Sequence, residues 1–565
     1  MITKNYKFGQ LAETRLYESP LLARLRLAKQ SCNHYPMDDM DFIMMDIERP
    51  EAFHRHADFC TGDLTGRYLE FLAVSMPHDK SDENRMHELF WRLLKCQSPS
   101  GPIGRVFVQD LCTKDTLYNS SDGVTNKLFM GLLQYYLYTG NGKALDAAGK
   151  TAEYIFNFTN PCNHYGCNTG WLTDPMALFY AITNDLRALD YCHKVKDDLK
   201  KLPLEKTHSH GLMTTLRGLQ MAAMYTGDLS FNEQPERFRK LIAEQAVWVD
   251  GNIPELFPSS RRNEGCSIAD WVMLNLNAGF LTGADEAYEK AELAMYNALG
   301  LSQLSNGRFS LRAISQDKRC YLRQVEEAWF CCVHNGGLAL VKYADHVVSL
   351  QNNIIKINFL VPGHYELVNN GQTISIDITT GYPETYHAII LVKGAPNSMD
   401  VKIRQSSFVR NIKLDKQQLP GNRDRYILNG DMGYYLERVE NGVILKYGPL
   451  VMAPLQYAPP QKDTDNPSGV EVEGIVPDFR ADYPAIIPPE KKDDAGFLVF
   501  DNERNMGWIC FEEGPRSRMT YGCLSVNVPL RFPEGTTKVM RFYPELSKTT
   551  IMKEAYFPIV FECNN

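Results

Sequence analysis

One short signal recurs through the first 350 residues and limits the fold more than any other feature of the chain. A helical, largely apolar stretch runs into Thr and then into Gly or Asn, at Tyr138-Thr139-Gly140-Asn141, Ile182-Thr183-Asn184-Asp185, Tyr225-Thr226-Gly227-Asp228 and Leu281-Thr282-Gly283-Ala284. Gly or Asn just after a helix takes the left-handed conformation that ends it. Each signal therefore predicts the turn of a helical hairpin.

The spacing of these signals predicts how the hairpins are arranged. The four Thr residues lie 44, 43 and 56 residues apart, a period typical of stacked helix pairs. An earlier pair fits residues 68–94 and a later one fits residues 336–350. We therefore expect a multidomain chain, first α and then β, whose helix pairs over residues 1–350 form either an open solenoid or a closed ring. About six pairs would close an α/α toroid, that is, an (α/α)6 barrel. Its inner helix ends should surround a central pocket.

From residue 354 the hydrophobic pattern changes to a period of two, which predicts β-strands. The predicted strands cover residues 354–360, 373–378, 388–392 and 401–404, with a hairpin at 434–455 that turns at Asn441-Gly442. An acidic, Pro-rich stretch at 459–489 precedes further strands at 524–528 and 538–543. We therefore expect one β-sandwich at 351–458, then a linker and a second β-sandwich at 459–565.

Composition excludes several classes of protein. A hydrophobic content of 44%, a charged content of 23% and a net charge of -8 are typical of a soluble globular protein. The chain has no long basic run, which argues against a nucleic-acid partner, and no stretch of membrane-spanning length. A neutral or small polar substrate is the simpler expectation. Whether the chain forms a homodimer through its β modules stays open.

The N-terminus lacks the apolar core of a secretory leader. We therefore expect a cytoplasmic protein, or a periplasmic one if a leader has been trimmed. The 14 cysteines lack the regular spacing of small disulfide-rich modules, which favours mostly reduced thiols.

Two adjacent cysteines, Cys331 and Cys332, are the main candidate for chemistry. Neighbouring cysteines do not easily form a disulfide with each other, whereas two thiolates side by side suit zinc. Glu264 and Cys266 lie two residues apart, so on an extended segment they point the same way and supply one oxygen and one sulfur. The four residues make a zinc ligand set, either structural or catalytic. The alternative is that the adjacent cysteines are buried as small hydrophobic residues.

A set of motifs in a fixed order resembles the β-L-arabinofuranosidase family, glycoside hydrolase family 127. The motifs are Glu264-Gly265-Cys266 followed by Ser267-Ile268-Ala269-Asp270-Trp271, then Tyr296-Asn297, Cys331-Cys332 with Asn335-Gly336, and Tyr447-Gly448-Pro449-Leu450-Val451. The resemblance implies a six-hairpin α/α barrel with C-terminal β-sandwiches and a zinc ion bound by Glu264, Cys266, Cys331 and Cys332. It further implies that Cys331 is the nucleophile of a retaining exo-glycosidase that releases a terminal L-arabinofuranose-like sugar from plant-type glycans.

The resemblance also places an acid/base Glu upstream of Glu264, and Glu255 is the residue found there. Nine residues separate Glu255 from Glu264, which is shorter than the loop of well-known members. The alternative is a solvated loop residue. Glu326 and Glu327 are reserve candidates, although exposed charge before a turn also explains them.

Sugar-binding positions follow from the same resemblance. His210 lies where the family has a substrate-contacting His, although a capping or core His fits as well. Two other family histidines are replaced here by Lys127 and Thr169. A permanently charged Lys favours an acidic sugar, unless it simply faces solvent. Trp171 and Trp329 are candidate stacking faces for a sugar, or core residues.

Two other functions remain open from the sequence. One is a helical-toroid glycosidase or lyase that acts on an acidic pectic sugar with two carboxylates, the cysteines being inert. The other is a non-catalytic carbohydrate-binding protein in which zinc is structural.

Overall fold

A computed structural model gives the structure of the protein. The residues it describes are 9–48, 62–99, 101, 103, 120–158, 172–205, 207–260, 262–304, 306–315, 318–325, 330–396, 398–454, 483–500, 524–545 and 557–563. The helices, all of which lie before residue 346, are α1 Pro20–Gln30, α2 Met40–Glu48, α3 Asp63–Ser75, α4 Glu83–Lys95, α5 Ser120–Thr139, α6 Gly142–Phe158, α7 Thr173–Thr183, α8 Leu186–Leu199, α9 Ser209–Thr226, α10 Glu233–Gln245, α11 Gly265–Thr282, α12 Asp285–Ala294, α13 Gly300–Ser302 and α14 Phe330–Asp345.

The four Thr signals end α5, α7, α9 and α11, as predicted, and they do so by one mechanism. Each Thr hydroxyl donates to the carbonyl four residues earlier at 2.7–2.8 Å and accepts from the backbone amide two residues later at 3.1–3.2 Å. The residue between them has positive φ: Gly140 (70°), Asn184 (59°), Gly227 (82°) and Gly283 (72°). The side chain and the left-handed residue together stop the helix and start the turn.

Six of the described helices form a closed circuit of neighbours. Helix α3 packs against α5, α5 against α7, α7 against α9, α9 against α11, α11 against α14, and α14 again against α3. A second helix flanks each of them: α4, α6, α8, α10, α12 and α1. Glycines permit close approach within the circuit. A Cβ on Gly66 would lie 2.3 Å from the backbone of Lys127, and one on Gly218 would lie 2.4 Å from that of Asp174.

The strands are β1 Gln10–Leu11, β2 Glu13–Leu16, β3 Leu311–Ile314, β4 Cys320–Val325, β5 Val348–Gln351, β6 Ile354–Ile357, β7 Gly363–Asn369, β8 Gln372–Thr380, β9 Tyr386–Lys393, β10 Asp400–Ile403, β11 Arg410–Leu419, β12 Arg423–Asp431, β13 Tyr434–Val439, β14 Gly442–Tyr447, β15 Leu450–Pro454, β16 Ala485–Ile486, β17 Val526–Arg531, β18 Thr537–Pro544, β19 Phe557–Pro558 and β20 Glu562–Cys563. They form sheets in the orders β1-β5-β6-β10, β11-β12-β9-β8-β7-β2, β13-β14-β15-β18-β17-β16-β20 and β19-β4-β3.

The predicted strands are present, and β13 and β14 form the predicted hairpin around Asn441-Gly442. The pairing also adds features that the hydrophobic pattern did not indicate. The N-terminal strands β1 and β2 pair with β5 and β7 of the later sheets. The sheet that contains β13 takes strands from both sides of residue 458. The division at 1–350, 351–458 and 459–565 stays a prediction.

One side chain ties the helical part to the β region. The buried Asn297 donates from Nδ2 to the carbonyl of Pro449 at 2.8 Å and accepts from the amide of Val451 at 2.8 Å. The two hydrogen bonds use both ends of one amide group, so they fix the loop before β15 against the end of the helical part. None of the described helices is both long and apolar enough to cross a bilayer.

Candidate metal and catalytic site

The four predicted ligands come together where α11 and α14 begin. Cys266 Sγ lies 3.5 Å from Cys332 Sγ, and Cys331 Sγ lies 3.9 Å from Cys332 Sγ. Glu264 Oε1 lies 3.5 Å from Cys331 Sγ and 3.9 Å from Cys332 Sγ. All four residues are buried, and their ligand atoms all lie within 4.8 Å of one another.

These separations fit a tetrahedral ion. Zinc–sulfur bonds of about 2.3 Å and zinc–oxygen bonds of about 2.0 Å put two ligand sulfurs about 3.8 Å apart, and a sulfur and an oxygen about 3.5 Å apart. The sulfur and carboxylate donors are also those that zinc prefers among divalent cations. The residues therefore fit a zinc ion without a change of backbone.

Both helices present their positive ends to the cluster. Glu264 is the N-cap residue of α11 and Cys266 is the second residue of that helix. Cys331 and Cys332 are the second and third residues of α14. Unpaired backbone amides and the helix dipole stabilise anions at this end, which favours thiolates here.

The pKa values of the ionisable groups in the cluster are shifted in different directions. Burial opposes ionisation of Glu264, but the hydrogen bond and positive charge of His208 outweigh it and hold the pKa of the carboxyl well below its usual value. Burial likewise opposes ionisation of Cys332, yet hydrogen bonds from Cys266 and Cys331 lower its pKa to about 6. For Cys331, the Cys266 contact lowers the pKa, but the Cys332 contact and burial raise it to about 12. The two adjacent thiols therefore differ, and that of Cys332 is the more acidic one.

One aromatic residue, Phe309, packs against both helices that carry the cluster, α11 and α14. A Cβ on Gly336 would lie 2.3 Å from the ring of Phe309, and one on Gly265 would lie 3.2 Å from Phe309 Cβ and 3.3 Å from Cys332 Cβ. Phe309 is fully buried. The glycines beside the ligands are thus needed because helix backbones and this ring approach closely, which explains Gly265 and Gly336 in the motifs.

Asp270 joins the two helices behind the ligands. It lies one turn after Cys266 and is completely buried. Asn335 Nδ2 donates to Asp270 Oδ1 at 3.2 Å and to the carbonyl of Cys266 at 3.1 Å. Asp270 also accepts from His210 Nδ1 and lies 3.3 Å from Arg217. This network holds α14 and α11 in register at the cluster.

Glu255, the predicted acid/base, lies beside the cluster. Its carboxylate, His208 and Glu264 have polar atoms within 4.8 Å of one another. It is not a freely solvated residue, because Arg262 grips both of its oxygens, Nε to Oε2 at 2.5 Å and Nη2 to Oε1. The Glu255 side chain is only 19% exposed. Glu255 thus lies beside Glu264 and His208 and is held by a guanidinium.

Of the two histidines near residue 209, the one closer to the ligands is His208, not His210. His208 Nε2 lies 3.4 Å from Glu264 Oε2. His210 is buried one layer away, where Nδ1 meets Asp270 and Nε2 lies 3.0 Å from Arg67 Nη2. Burial lowers the pKa of His210 to about 4, so the neutral ring donates from Nδ1 and accepts at Nε2.

Lys127 does not face solvent. Its side chain is 1% exposed and lies 3.9 Å from Glu70. The other predicted residues, Thr169, Trp171, Glu326, Glu327 and Trp329, lie outside the described residues.

The helical part matches a protein-family model. Residues 24–345, more than half of the chain, match the model described as the catalytic domain of beta-L-arabinofuranosidase, GH127. The chain belongs to glycoside hydrolase family 127. It is therefore a glycoside hydrolase of the beta-L-arabinofuranosidase type, and its substrate is a carbohydrate. A search of curated proteins found no match.

Solved GH127 structures share the fold over the whole chain. A GH127 beta-arabinofuranosidase has 13% sequence identity and a TM-score of 0.70, with 100% of this chain and 99% of that chain covered. A GH127 beta-L-arabinofuranosidase from Geobacillus stearothermophilus T6 has 11% identity and a TM-score of 0.71, with 98% and 100% covered. At these identities the likeness shows the fold alone: helices followed by C-terminal sheets.

Four residues at or near the cluster are not predicted from the sequence. Asp270 lies behind the ligands and His208 beside Glu264, whereas contact of His210 with a sugar stays a prediction. Arg67 and Arg262 were not singled out. A signal for Arg67 was available, because Asp63 and Arg67 form an (i, i+4) pair of opposite charge in a helix whose one other charged residue is Glu70. Arg262 carried no such signal, because its partner is set by the loop conformation.

Proposed function

We propose that this chain is a zinc-dependent, retaining exo-glycosidase that releases a terminal L-arabinofuranose-like sugar from plant-type glycans. The observation that carries the proposal is the meeting of Glu264, Cys266, Cys331 and Cys332 at two helix N-termini, at separations that suit a tetrahedral ion. Beside this cluster lies one carboxylate that is not a ligand, Glu255. A nucleophile and an acid/base are the two groups that retention needs.

The proposal includes the architecture. The closed circuit of α3, α5, α7, α9, α11 and α14 supports an (α/α)6 barrel, with the cluster at the inner helix ends. We assign the barrel to residues 1–350 and the β-sandwiches to 351–458 and 459–565. The N-terminal strands β1 and β2 then link the start of the chain to the β region.

A zinc ion held by Glu264, Cys266, Cys331 and Cys332 would keep their sulfur atoms deprotonated at neutral pH. Cys331 Sγ attacks the anomeric carbon as the bond from that carbon to the leaving oxygen breaks. Glu255, in its protonated form, gives its proton to the departing oxygen. The sugar is then covalently bound to Cys331.

Water completes the reaction. Glu255, now a carboxylate, takes a proton from the water molecule as its oxygen attacks the same carbon. The carbon–sulfur bond breaks, and the electron pair returns to Cys331 Sγ. Two displacements at one carbon retain its configuration. Because Arg262 grips both oxygens of Glu255, this pair has to open before Glu255 transfers a proton.

The charges at the site favour a neutral sugar over an acidic one. Lys127, the residue that suggested an acidic substrate, lies beside Glu70, so a carboxylate of the protein already offsets its charge. Membership of a glycosidase family disfavours the non-catalytic alternative. Among the described residues, the alternative with two catalytic carboxylates would use Glu255 and Glu264, and Glu264 is turned toward the cysteines.

The decisive experiment compares Cys331→Ser, Cys332→Ser and Cys192→Ser. Cys192 is a buried free cysteine on α8 and serves as the matched control. With an aryl β-L-arabinofuranoside, we expect Cys331→Ser to reduce turnover by at least about 10³-fold, because it removes the nucleophile. Cys192→Ser should keep near wild-type turnover. A cyclic sugar electrophile should label Cys331, as read by peptide mass spectrometry, and metal analysis should find one zinc per chain.

Two outcomes would contradict the proposal. Full turnover by Cys331→Ser would leave the sulfur without a catalytic role. Labelling of Glu255 or Glu264, with zinc absent from the purified wild-type protein, would favour the mechanism with two carboxylates.

A further inference from the structure

Arg67 is a buried arginine of the helical part, and two of its three side-chain nitrogens have hydrogen-bond partners among the described residues. It lies on α3 and its side chain is 4% exposed. Nε donates to Asp63 Oδ2 at 2.7 Å, and Nη2 donates to His210 Nε2, 3.0 Å away. Nη1 is buried and has no hydrogen-bond partner among the described residues. A buried guanidinium N–H without an acceptor is costly, so a third acceptor is expected.

A second unsatisfied side chain borders the same space. His334 is 1% exposed and neither ring nitrogen has a hydrogen-bond partner in the described part of the chain. Arg67 and His334 line one pocket together with Glu70, Phe71, Asn335 and Leu338. With the side chains as they stand the gap has no room for a water-sized group, so an oxygen atom of a ligand reaches Arg67 Nη1 only after a side chain that lines the gap has moved.

The position of Arg67 connects this pocket to the chemistry. Asn335, which also lines the pocket, is tied to Cys266 and Asp270, and His334 is two residues after Cys332. Arg67 is joined to the cluster by a chain of hydrogen bonds, because His210 links it to Asp270, and Asn335 links Asp270 to the carbonyl of Cys266.

We propose that Arg67 is a substrate-binding residue whose Nη1 donates a hydrogen bond to an uncharged oxygen of the sugar that Cys331 attacks. It thereby selects a neutral, hydroxyl-bearing sugar against a sugar acid. This rests on the proposed function. The rigid attachment to Asp63 and His210 fixes the direction of the donor before the sugar arrives, which lowers the cost of binding.

The chemistry of the pocket sets the ligand class. A sugar hydroxyl both accepts and donates, which suits a pocket with the Arg67 donor, the Glu70 carboxylate and the His334 ring. A sugar carboxylate only accepts and would lie near Glu70. The charge of Arg67 is already balanced by Asp63, and that of Lys127 by Glu70. No cation of this group is left to attract a carboxylate.

The test combines a substitution in the enzyme with the removal of a hydroxyl group from the substrate, as in a double-mutant cycle. The wild type and Arg67→Met are assayed on an aryl β-L-arabinofuranoside and on its 2-, 3- and 5-deoxy analogues. For the hydroxyl that Arg67 binds, we expect kcat/KM of the wild type to fall about 10- to 100-fold on deoxygenation. The same deoxygenation should cost Arg67→Met less than about 2-fold, because the donor is already gone. Equal losses in both enzymes for every analogue would overturn the role of Arg67.

Control variants separate binding from folding. Arg67→Met removes the ion pair between Arg67 and Asp63, so the double variant Asp63→Asn/Arg67→Met, which removes both charges together, is assayed in parallel and should show the same insensitivity. Arg239→Met is the matched control, because Arg239 is a buried, paired arginine on the outer helix α10. It should keep the wild-type pattern of losses on deoxygenation.

A binding measurement tests the role of Arg67 without depending on catalytic turnover. Calorimetric titration with free L-arabinose should show at least about 10-fold weaker binding to Arg67→Met than to the wild type. Tighter binding of a uronic acid than of the pentose by the wild type would overturn the neutral class. Wild-type protein that binds L-arabinose but hydrolyses no arabinofuranoside would refute the proposed function while leaving the role of Arg67 intact.

Discussion

Asp270 is the residue whose isosteric replacement should disturb the site most. Its two oxygens meet donors from Asn335 at 3.2 Å, Arg217 at 3.3 Å and His210. The Asp270→Asn substitution would keep one acceptor oxygen and add an N–H group that faces these donors. Among the described carboxylates, Arg217 would then keep its ion pair with Asp174, at 3.9 Å. Removing one partner of a buried ion pair costs about 3–5 kcal/mol, and we expect the lower end because the shape is kept.

Asp270→Asn should weaken metal binding at the candidate site more than its loss of folding stability alone would predict. Asn335 Nδ2 is shared between Asp270 and the carbonyl of Cys266, so a weaker Asp270 contact loosens the link between α11 and α14. Groups that orient metal ligands typically change metal affinity by about 10- to 100-fold when they are replaced. With the proposed zinc ion bound at this cluster, Asp270→Asn should lose it to a competing chelator at a concentration about 10-fold lower than the wild type.

The assay pairs urea unfolding with chelator competition. Asp345→Asn is the control, because Asp345 is a partly exposed residue at the end of α14 that pairs with Lys342 at 3.3 Å. Such a pair contributes about 0–1 kcal/mol, and zinc retention should not change. If Asp270→Asn costs no more than the control and retains zinc as the wild type does, Asp270 does not hold the two helices in register.

Other parts of the structure give further predictions. Asn297→Ala leaves a buried carbonyl and a buried amide unpaired and should cost about 2–4 kcal/mol in urea unfolding; a cost below about 1 kcal/mol would refute the tie to the β region. Gly336→Ala puts a methyl group 2.3 Å from Phe309 and should cost about 2 kcal/mol or more, whereas Gly142→Ala meets nothing within 4 Å and should be neutral or slightly stabilising. Equal melting temperatures of these two variants would contradict the packing. Burial raises the pKa of Asp174 to about 6, so the folded state binds the extra proton and loses stability as pH rises through the range up to that value. Asp174→Asn should lessen this fall in a series of melting temperatures, and a profile parallel to the wild type would contradict it.

The sequence predicted the parts of the fold that depend on neighbours along the chain. The Thr signals end helices through hydrogen bonds that span four residues or fewer, so Thr139 and Thr226 carry their own structural information. The strands at 373–378 and 388–392 were likewise visible because one face of a strand is buried in alternation. Glu264 and Cys266 were found because their donors are of a rare kind and lie close together in sequence.

Contacts between distant residues could not be predicted in this way. Arg67 and His210 are 143 residues apart, and no local pattern indicates which histidine the arginine meets. Choosing between His208 and His210 depended on the direction in which α9 enters the ring, which is set by packing. Similarly, β1 and β2 are too short to show a period, and they form strands because β5 and β7 supply partners.

The two adjacent sulfurs are identical in sequence, yet their surroundings differ. Cys332 is enclosed, since it lies nearest Cys266 and its Cβ is close to the position a side chain on Gly265 would take. Cys331 has its closest oxygen contact with Glu264 Oε1, and the other oxygen of Glu264 faces His208, at 3.4 Å. His208 and Glu264 also form the group that contains Glu255. Cys331 Sγ is the sulfur nearer to Glu264 Oε1, and we propose it as the nucleophile and Cys332 as a residue that holds the ion.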